Sequence, residues 1–429
     1  MKLSERLSGI AARLRRWGLK GVCEWAVKKA RMARNRRFIV ANARRHGDTV
    51  PVRGITVVGP LTQSWSMSKT LRDFVIRLKE CGVPCQTFDT GVVSGNVAKG
   101  DFDGLLTPRG EFDARKFSVV VELHYSTFPK GLGPKCGRLC FWEAEKAFPE
   151  FSPDPASSDF FLTMSDFNHV AIGKAFEESG FPVRKVLYPL LQVPRTFLGA
   201  DEVRRKYTLP EGAFVVFSNF DIGSFHRKNP LGMVRAFAAA FVDAKDAWLV
   251  FKVNHAGEFG KELAEIESLA AELGVGERLR IISAYIPQPD IYALTNAADV
   301  YISLNRGEGF GLGIAEAMSL RKPVVITDFG APLEFCTKDN AMLVPFRRVA
   351  IKEGEYFMKA ESWPEPDVDA AAKFLRSLYE DPSLRQRIGE CAEKTIASHF
   401  SDESFRRSIE TIVQEFVSAE NGRAIPEYT

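Results

Sequence analysis

Two carboxylates, Glu308 and Glu316, lie eight positions apart and flank a glycine-rich stretch containing Gly307, Gly309, Gly311 and Gly313. An apolar segment of strand character, residues 300–304, comes just before it, and a helical pattern follows from Gly313. Strand, glycine turn and helix start form a layout that offers backbone N–H groups and the positive end of a helix to a phosphate. Glu316 is expected in the first helical turn and Glu308 on the loop before it. Both carboxylates then line one pocket and accept hydrogen bonds from hydroxyl groups. Phosphate held by backbone and hydroxyls held by carboxylates together describe a sugar nucleotide. The plainer alternative for Glu316 is a partner for the helix dipole, worth only about 0.3–1 kcal/mol.

A departing diphosphate brings negative charge that either a divalent metal or basic side chains must balance. No Asp-x-Asp pair occurs in the candidate loops, so no metal and no cofactor are expected. The cations on offer are Arg227 and Lys228, after the first strand of the C-terminal half, and Lys252, read as ending the next strand. Strand ends of one sheet converge on one crevice, which brings all three toward one diphosphate. Arg306 beside the glycine stretch suits a phosphate contact and an ion pair with a carboxylate equally.

The elements that must position these groups alternate between strand and helix. Strands are read at 55–58, near 85, at 118–122, 137–141 and 160–163, with helices over 68–81 and 167–179. This pattern predicts a parallel sheet covered by helices. A proline-marked linker with a short charged helix, 201–207, spans 189–210. Strands then follow at 214–217, 247–251, 279–282, 300–304, 323–327 and 341–344. Helices at 230–241, 259–273, 288–296 and 313–320 lie between them. The expected organisation is a basic segment 1–50, a domain 51–200, a domain 201–400 and a terminal segment 401–429. Two doubly wound units of this kind bind ligands at the carboxyl ends of their strands.

The ordered set of motifs resembles the retaining glycosyltransferases of family 4. In these, two glutamates are separated by seven residues, as Glu308 and Glu316 are. The likeness continues through Lys322, Pro323 and Val324, residues 328–330, residues 221–224 with 227–230, the strand 249–252 and Trp363-Pro-Glu-Pro-Asp367. It is close over 214–400, loose over 51–200 and absent over 1–50. It implies an α/β protein of the GT-B fold, two doubly wound Rossmann-like domains facing across a cleft, with the last helix crossing back to the first domain. It also implies that Glu308 meets the hydroxyls of the donor sugar, Glu316 the nucleotide ribose and Lys228 the phosphates. Gly309, Phe310, Gly311 and Leu312 would pass close to sugar and phosphate through their backbone. His124, at the end of the third strand, falls where the family often keeps a histidine against the donor sugar. Many members carry an arginine six residues before the lysine; this chain has Ile222 there. Arg227 or Lys252 is then expected to supply the second charge. The implied chemistry is retaining transfer by front-face attack, in which the donor's own phosphate takes the acceptor proton.

The chain has 429 residues, 45% of them hydrophobic and 26% charged, which fits a soluble protein of two domains. No apolar run of membrane-spanning length and no signal-like segment is read, so a cytoplasmic place is expected. Seven scattered cysteines fit a reducing compartment, and the 81/85 and 136/140 spacings fall short of a zinc framework. Residues 1–50 hold fourteen Lys or Arg against three Asp or Glu. Apolar residues recur there at helical spacing, from Leu3 and Leu7 to Trp17 and Trp25. Such a segment suits the surface of an anionic bilayer or the protein's own body. Peripheral contact at the inner membrane face through residues 1–37 is the expectation taken forward, and no nucleic-acid partner is expected. The partners foreseen are a nucleotide-sugar donor and a glycan or lipid-linked acceptor. A non-catalytic glycan- or partner-binding module and a nucleotide-sugar epimerase of the same fold are the rival readings. A glycosidase would need two carboxylates facing across one bond.

Overall fold

The computed structural model describes residues 54–62, 66–90, 104–108, 110–112, 119–123, 135–147, 158–194, 197–355 and 362–416, with single positions at 30, 34 and 37. The described residues fall into two compact units. The first takes those up to Leu139, those from 158 to Leu162 and those from Ile409. The second takes 140–147 and Thr163–Ser408. The division does not run at residue 200, since the second unit begins at Thr163 after the 140–147 segment. The last helix, Asp402–Phe416, contributes residues to both units.

The first unit holds β1 (Ile55–Gly59), β2 (Cys85–Asp89), β3 (Val119–Leu123), β4 (Lys135–Leu139) and β5 (Phe160–Thr163). Their order is β2-β1-β3-β4-β5, and every pairing is parallel. β1 and β5 are buried along their whole length, as short apolar runs of parallel strands are. The helix Ser66–Glu80 buries Leu71, Phe74, Val75 and Leu78, a stripe at helical spacing. β4 begins two residues before the expected start and ends at Leu139, leaving Trp142 and Glu143 on the following loop.

The second unit contains the short strand β6 (Val183–Lys185) and a larger sheet. That sheet comprises β7 (Phe214–Asp221), β8 (Ala247–Asn254), β9 (Leu279–Ile282), β10 (Val300–Ser303), β11 (Val324–Thr327) and β12 (Met342–Val344). Its order is β12-β11-β10-β7-β8-β9, again parallel throughout. The core between sheet and helices is built from Val216, Leu249, Phe251 and Ile302 with Phe237, Ile266 and Leu375. Each such side chain contributes on the order of 1.5–3 kcal/mol by leaving water.

β7 and β8 run longer than their apolar cores. All eight pairs from Phe214↔Ala247 to Asp221↔Asn254 stay in register. The polar residues Ser218 and Asn219 read as loop in the sequence, but their backbone continues the ladder. Lys252 therefore sits inside β8 opposite Asn219 rather than at its end. An antiparallel pair, β13 (Phe346–Ala350) with β14 (Ser362–Pro366), is a further departure from the expected all-parallel scheme. Two helices, Val368–Glu380 and Pro382–His399, follow it, capped by Asp367 and Asp381.

Candidate functional site

β7, the turn after it and the loop after β10 build the site within the second unit. Asn229 adopts a left-handed backbone (φ 51°) and caps the helix Pro230–Ala240 through a bond from the Gly232 amide, 3.1 Å. Its Nδ2 donates to the Leu304 carbonyl at 3.1 Å. That bond pins the Arg227–Lys228 turn to the end of β10. The result is that Lys228 Nζ stands 2.6 Å from Glu308 Oε2.

The same oxygen accepts from Asn305 Nδ2 at 2.7 Å and lies 3.7 Å from Arg227 Nη1. Glu308 Oε1 receives none of these bonds. Burial would raise the Glu308 carboxyl, but Lys228, Arg227 and the Asn305 amide outweigh it and hold the carboxyl below the ordinary range. Glu308 is thus an anion with one oxygen fixed by protein donors.

Arg227 is 8% exposed and braces the loop. It donates to Gly307 O at 2.9 Å and to Ser224 Oγ at 3.3 Å, and pairs with Glu143 Oε1 at 3.0 Å. Its expected role as a phosphate cation gives way to this one, since its charge is spent on two carboxylates and a carbonyl. Gly307 also lets the loop approach the Glu143 backbone, because a Cβ there would lie 2.5 Å from the Glu143 carbonyl oxygen.

Gly309 backs against Trp142, and its carbonyl accepts from Ser165 Oγ at 3.2 Å. Gly311, at φ 93°, is the left-handed N-cap of the helix Leu312–Ser319, and no side chain caps that end. Gly311 follows Glu308 by three residues, so this helix starts directly after the Glu308 loop. The Phe310 ring points into the core and stacks on Tyr188 at 3.5 Å. Trp142 is a packing residue as well, 3% exposed, with its indole N–H on the Lys146 carbonyl at 2.8 Å.

Glu316 lies in the second turn of its helix, one turn later than expected, and is buried. Tyr292 Oη donates to Glu316 Oε1 at 3.3 Å. Burial drives the Tyr301 phenol well above its ordinary range, and Glu316 and Glu308 both push the same way. Tyr301 therefore stands close enough to feel both carboxylates.

Arg306 is not placed for a phosphate. It makes a two-pronged pair with Glu365, 2.5 and 2.9 Å, and donates to the His226 carbonyl at 2.6 Å. The guanidinium also lies 5.2 Å from the Trp363 ring. Lys252 is 2% exposed, donating to Val253 O at 3.0 Å and to Asn254 Oδ1 at 2.8 Å. Burial lowers its ammonium to about 8. His124 lies outside the described residues. Among the described residues no group of three or more His, Cys, Asp or Glu is placed to hold a metal ion.

Residues 201–395 match the family of glycosyl transferases group 1. The match spans the sheet of the second unit and the whole Lys228–Glu308–Glu316 group. A D-inositol 3-phosphate glycosyltransferase of Thermomonospora curvata is 29% identical over 195 residues, 44% of this chain and 40% of that protein. A lipopolysaccharide core biosynthesis glycosyltransferase, LpsD, of Rhizobium meliloti is 27% identical over 196 residues, 46% and 48% of the two chains. The chain spans less than half the length of these curated relatives. In structure it is similar to a glycosyltransferase from Rickettsia africae, with a TM-score of 0.60 at 15% identity over 85% of this chain and 98% of that one. The shared fold is GT-B.

Asn305, Glu143, Tyr292 and Tyr301 surround this group of side chains, and the sequence alone gives no role there to Asn305, Tyr292 or Tyr301. Asn305 lies three residues before Glu308, so its neighbourhood was legible. In the sequence, Trp142 and Glu143 at a strand end suit sugar stacking with hydrogen bonding and core packing equally; in the structure Glu143 pairs with Arg227, 84 positions away.

Among the described residues no helix is long and apolar enough to cross a membrane.

Proposed function

We propose that the protein is a retaining glycosyltransferase of family 4, moving a hexose from a nucleotide diphosphate sugar to a glycan or lipid-linked acceptor. The observation that carries the reading is the 2.6 Å pair of Lys228 with Glu308, set beside an uncapped helix start. A lysine and free backbone N–H groups on one side suit a diphosphate. A carboxylate with one oxygen fixed and the other without these bonds suits a sugar hydroxyl. Glu316, one helical turn further on, suits the ribose.

The charge of the leaving group is balanced by side chains and backbone in this reading, and no step is assigned to a metal. Bond breaking to the diphosphate and attack by the acceptor hydroxyl occur on one face of the sugar. The departing phosphate oxygen takes the acceptor's proton, so no protein base is needed. Retention and family 4 membership rest on the two-glutamate motif. The relatives' names, one for an inositol phosphate and one for lipopolysaccharide core, support an acceptor in cell-surface glycan assembly. The basic charge of residues 1–37 supports peripheral contact at the inner membrane face.

A panel of UDP- and GDP-hexoses, incubated with the full chain and membrane extract, tests the proposal by release of nucleoside diphosphate. Release from one donor that depends on added extract is the expected result. An altered sugar released without acceptor would make the protein an epimerase, and no release from any donor by folded protein would end the enzyme reading.

A further inference from the structure

The site needs a second cation for a diphosphate, and the groups named from sequence do not supply an accessible one. Arg227 is buried against Glu143, Gly307 and Ser224. Lys252 is buried in β8, and Ile222 holds the position of an arginine. At the carboxyl ends of β7 and β8, however, Asp221 and Asn254 are register partners, and His255 follows Asn254 directly. His255 Nδ1 lies 2.8 Å from Asp221 Oδ2, and the two side chains are 39% and 40% exposed. Asp221 is further tied by the Gly223 amide to its Oδ1, 2.9 Å.

We infer that His255, held by Asp221, is the second cationic contact for the donor's diphosphate, in place of the arginine that this chain lacks at Ile222. The inference rests on the donor reading above and extends it to a residue which that reading does not use.

Four observations support it. An imidazolium carries two N–H donors, and Asp221 occupies only Nδ1. Nε2 makes no hydrogen bond among the described residues, and the ring is open to solvent. His255 holds a left-handed backbone (φ 60°, ψ 23°), a conformation that non-glycine residues adopt rarely and at a cost. Asp221 also feels the Lys228 charge, the smallest of the influences that hold its carboxyl low.

The charged groups facing His255 are Asp221 from β7, Glu258 from the turn after β8, and Lys252 from β8 itself. The bond to Asp221 raises the imidazole pKa, burial opposes this, the Asp221 and Glu258 charges add to it, and Lys252 subtracts. The net shift is upward, above the usual imidazole value of about 6.5. His255 is therefore cationic at and below that value, and its grip on a diphosphate weakens as pH rises through the shifted one.

UDP-glucose and GDP-mannose are suitable probes, because a diphosphate diester keeps a constant charge from pH 6 to 9. Their dissociation constants are measured by calorimetry across that range for wild type, His255→Asn and Asp221→Asn. Asparagine tolerates the left-handed backbone and never carries charge. At pH 6 the His255→Asn variant is expected to bind the probe about tenfold more weakly than wild type. By pH 9 the two should converge, and Lys252, common to both, cancels from the comparison. Asp221→Asn is expected to move the wild-type loss of affinity to lower pH, which decides the matter should His255→Asn not fold. Equal affinity of wild type and His255→Asn at pH 6, or an unmoved profile for Asp221→Asn, overturns the inference while leaving the donor reading intact. Binding of neither probe at any pH by folded wild type overturns both.

Discussion

Replacing Glu308 by Gln lowers turnover by on the order of 10³-fold, about 4 kcal/mol of transition-state stabilisation. The amide keeps the shape of the side chain and can still accept from Lys228 and Asn305, so the variant folds, with a lowered melting temperature because Lys228 and Arg227 lose a buried counter-charge. What it loses is the negative charge, which Lys228 at 2.6 Å and Arg227 at 3.7 Å set against their own. Without that charge the sugar loses its anionic hydroxyl acceptor, and Lys228 loses the partner that aims it. Lys228→Met produces a loss of similar size, seen first in donor affinity. The double variant is no worse than about either single one, because the two groups act as a unit. Steady-state kinetics with the donor found by the hexose panel measure all three. Turnover within about threefold of wild type for Glu308→Gln would remove Glu308 from the chemistry.

Gly389→Ala destabilises the second unit by about 2–3 kcal/mol. In an ordinary helix interior this change is favourable by roughly 0.5–1 kcal/mol, because glycine costs backbone entropy. Here a Cβ would lie 2.1 Å from the Arg321 carbonyl oxygen and 2.9 Å from its carbon. Those atoms are backbone, in a turn where Arg321 already holds φ 60°, so they cannot rotate away. Arg321 follows the helix Leu312–Ser319, which carries Glu316. Gly389 thus lets the helix Pro382–His399 seat against the end of the site helix. Urea or thermal unfolding reads the loss, and donor affinity falls with it. A variant as stable as wild type would mean that the two helices can separate without consequence.

Much of the second sheet was legible because parallel strands buried on both faces read as short apolar runs. β10 and β11, buried throughout, fall within a residue of their expected limits, and the partly exposed edge strand β9 (Leu279–Ile282) falls on its own. The polar ends of β7 and β8 were not legible. Residues Ser218 to Asp221 resemble a loop in composition, and only the partner strand shows that their backbone pairs. The β13–β14 hairpin was hidden for a different reason: Pro364 and Pro366 argue against a strand, yet an isolated two-stranded pair leaves open edges on which proline is tolerated.

At the site, the Lys228–Glu308 pair spans 80 positions and was placed together by strand-end convergence and family resemblance. Arg306 shows the limit of such reasoning. Its neighbours in sequence suggest a phosphate, but Glu365, 59 positions on, takes both prongs of its guanidinium. Arg227 shows the same, since Glu143 claims it from outside the 201–395 region. His255 carried no sequence signal of its own, because its importance comes from β8 reaching Asn254 beside Asp221.

The central claim is that a nucleoside diphosphate binds the second unit at Lys228 with its ribose on Glu316. A crystal structure of the full chain soaked with UDP or GDP tests it most directly. The expected density places a phosphate oxygen about 3 Å from Lys228 Nζ and from the first amides of the helix Leu312–Ser319, with a ribose hydroxyl on Glu316. A nucleotide bound elsewhere on the chain, with Lys228 and Glu316 both untouched, would contradict it.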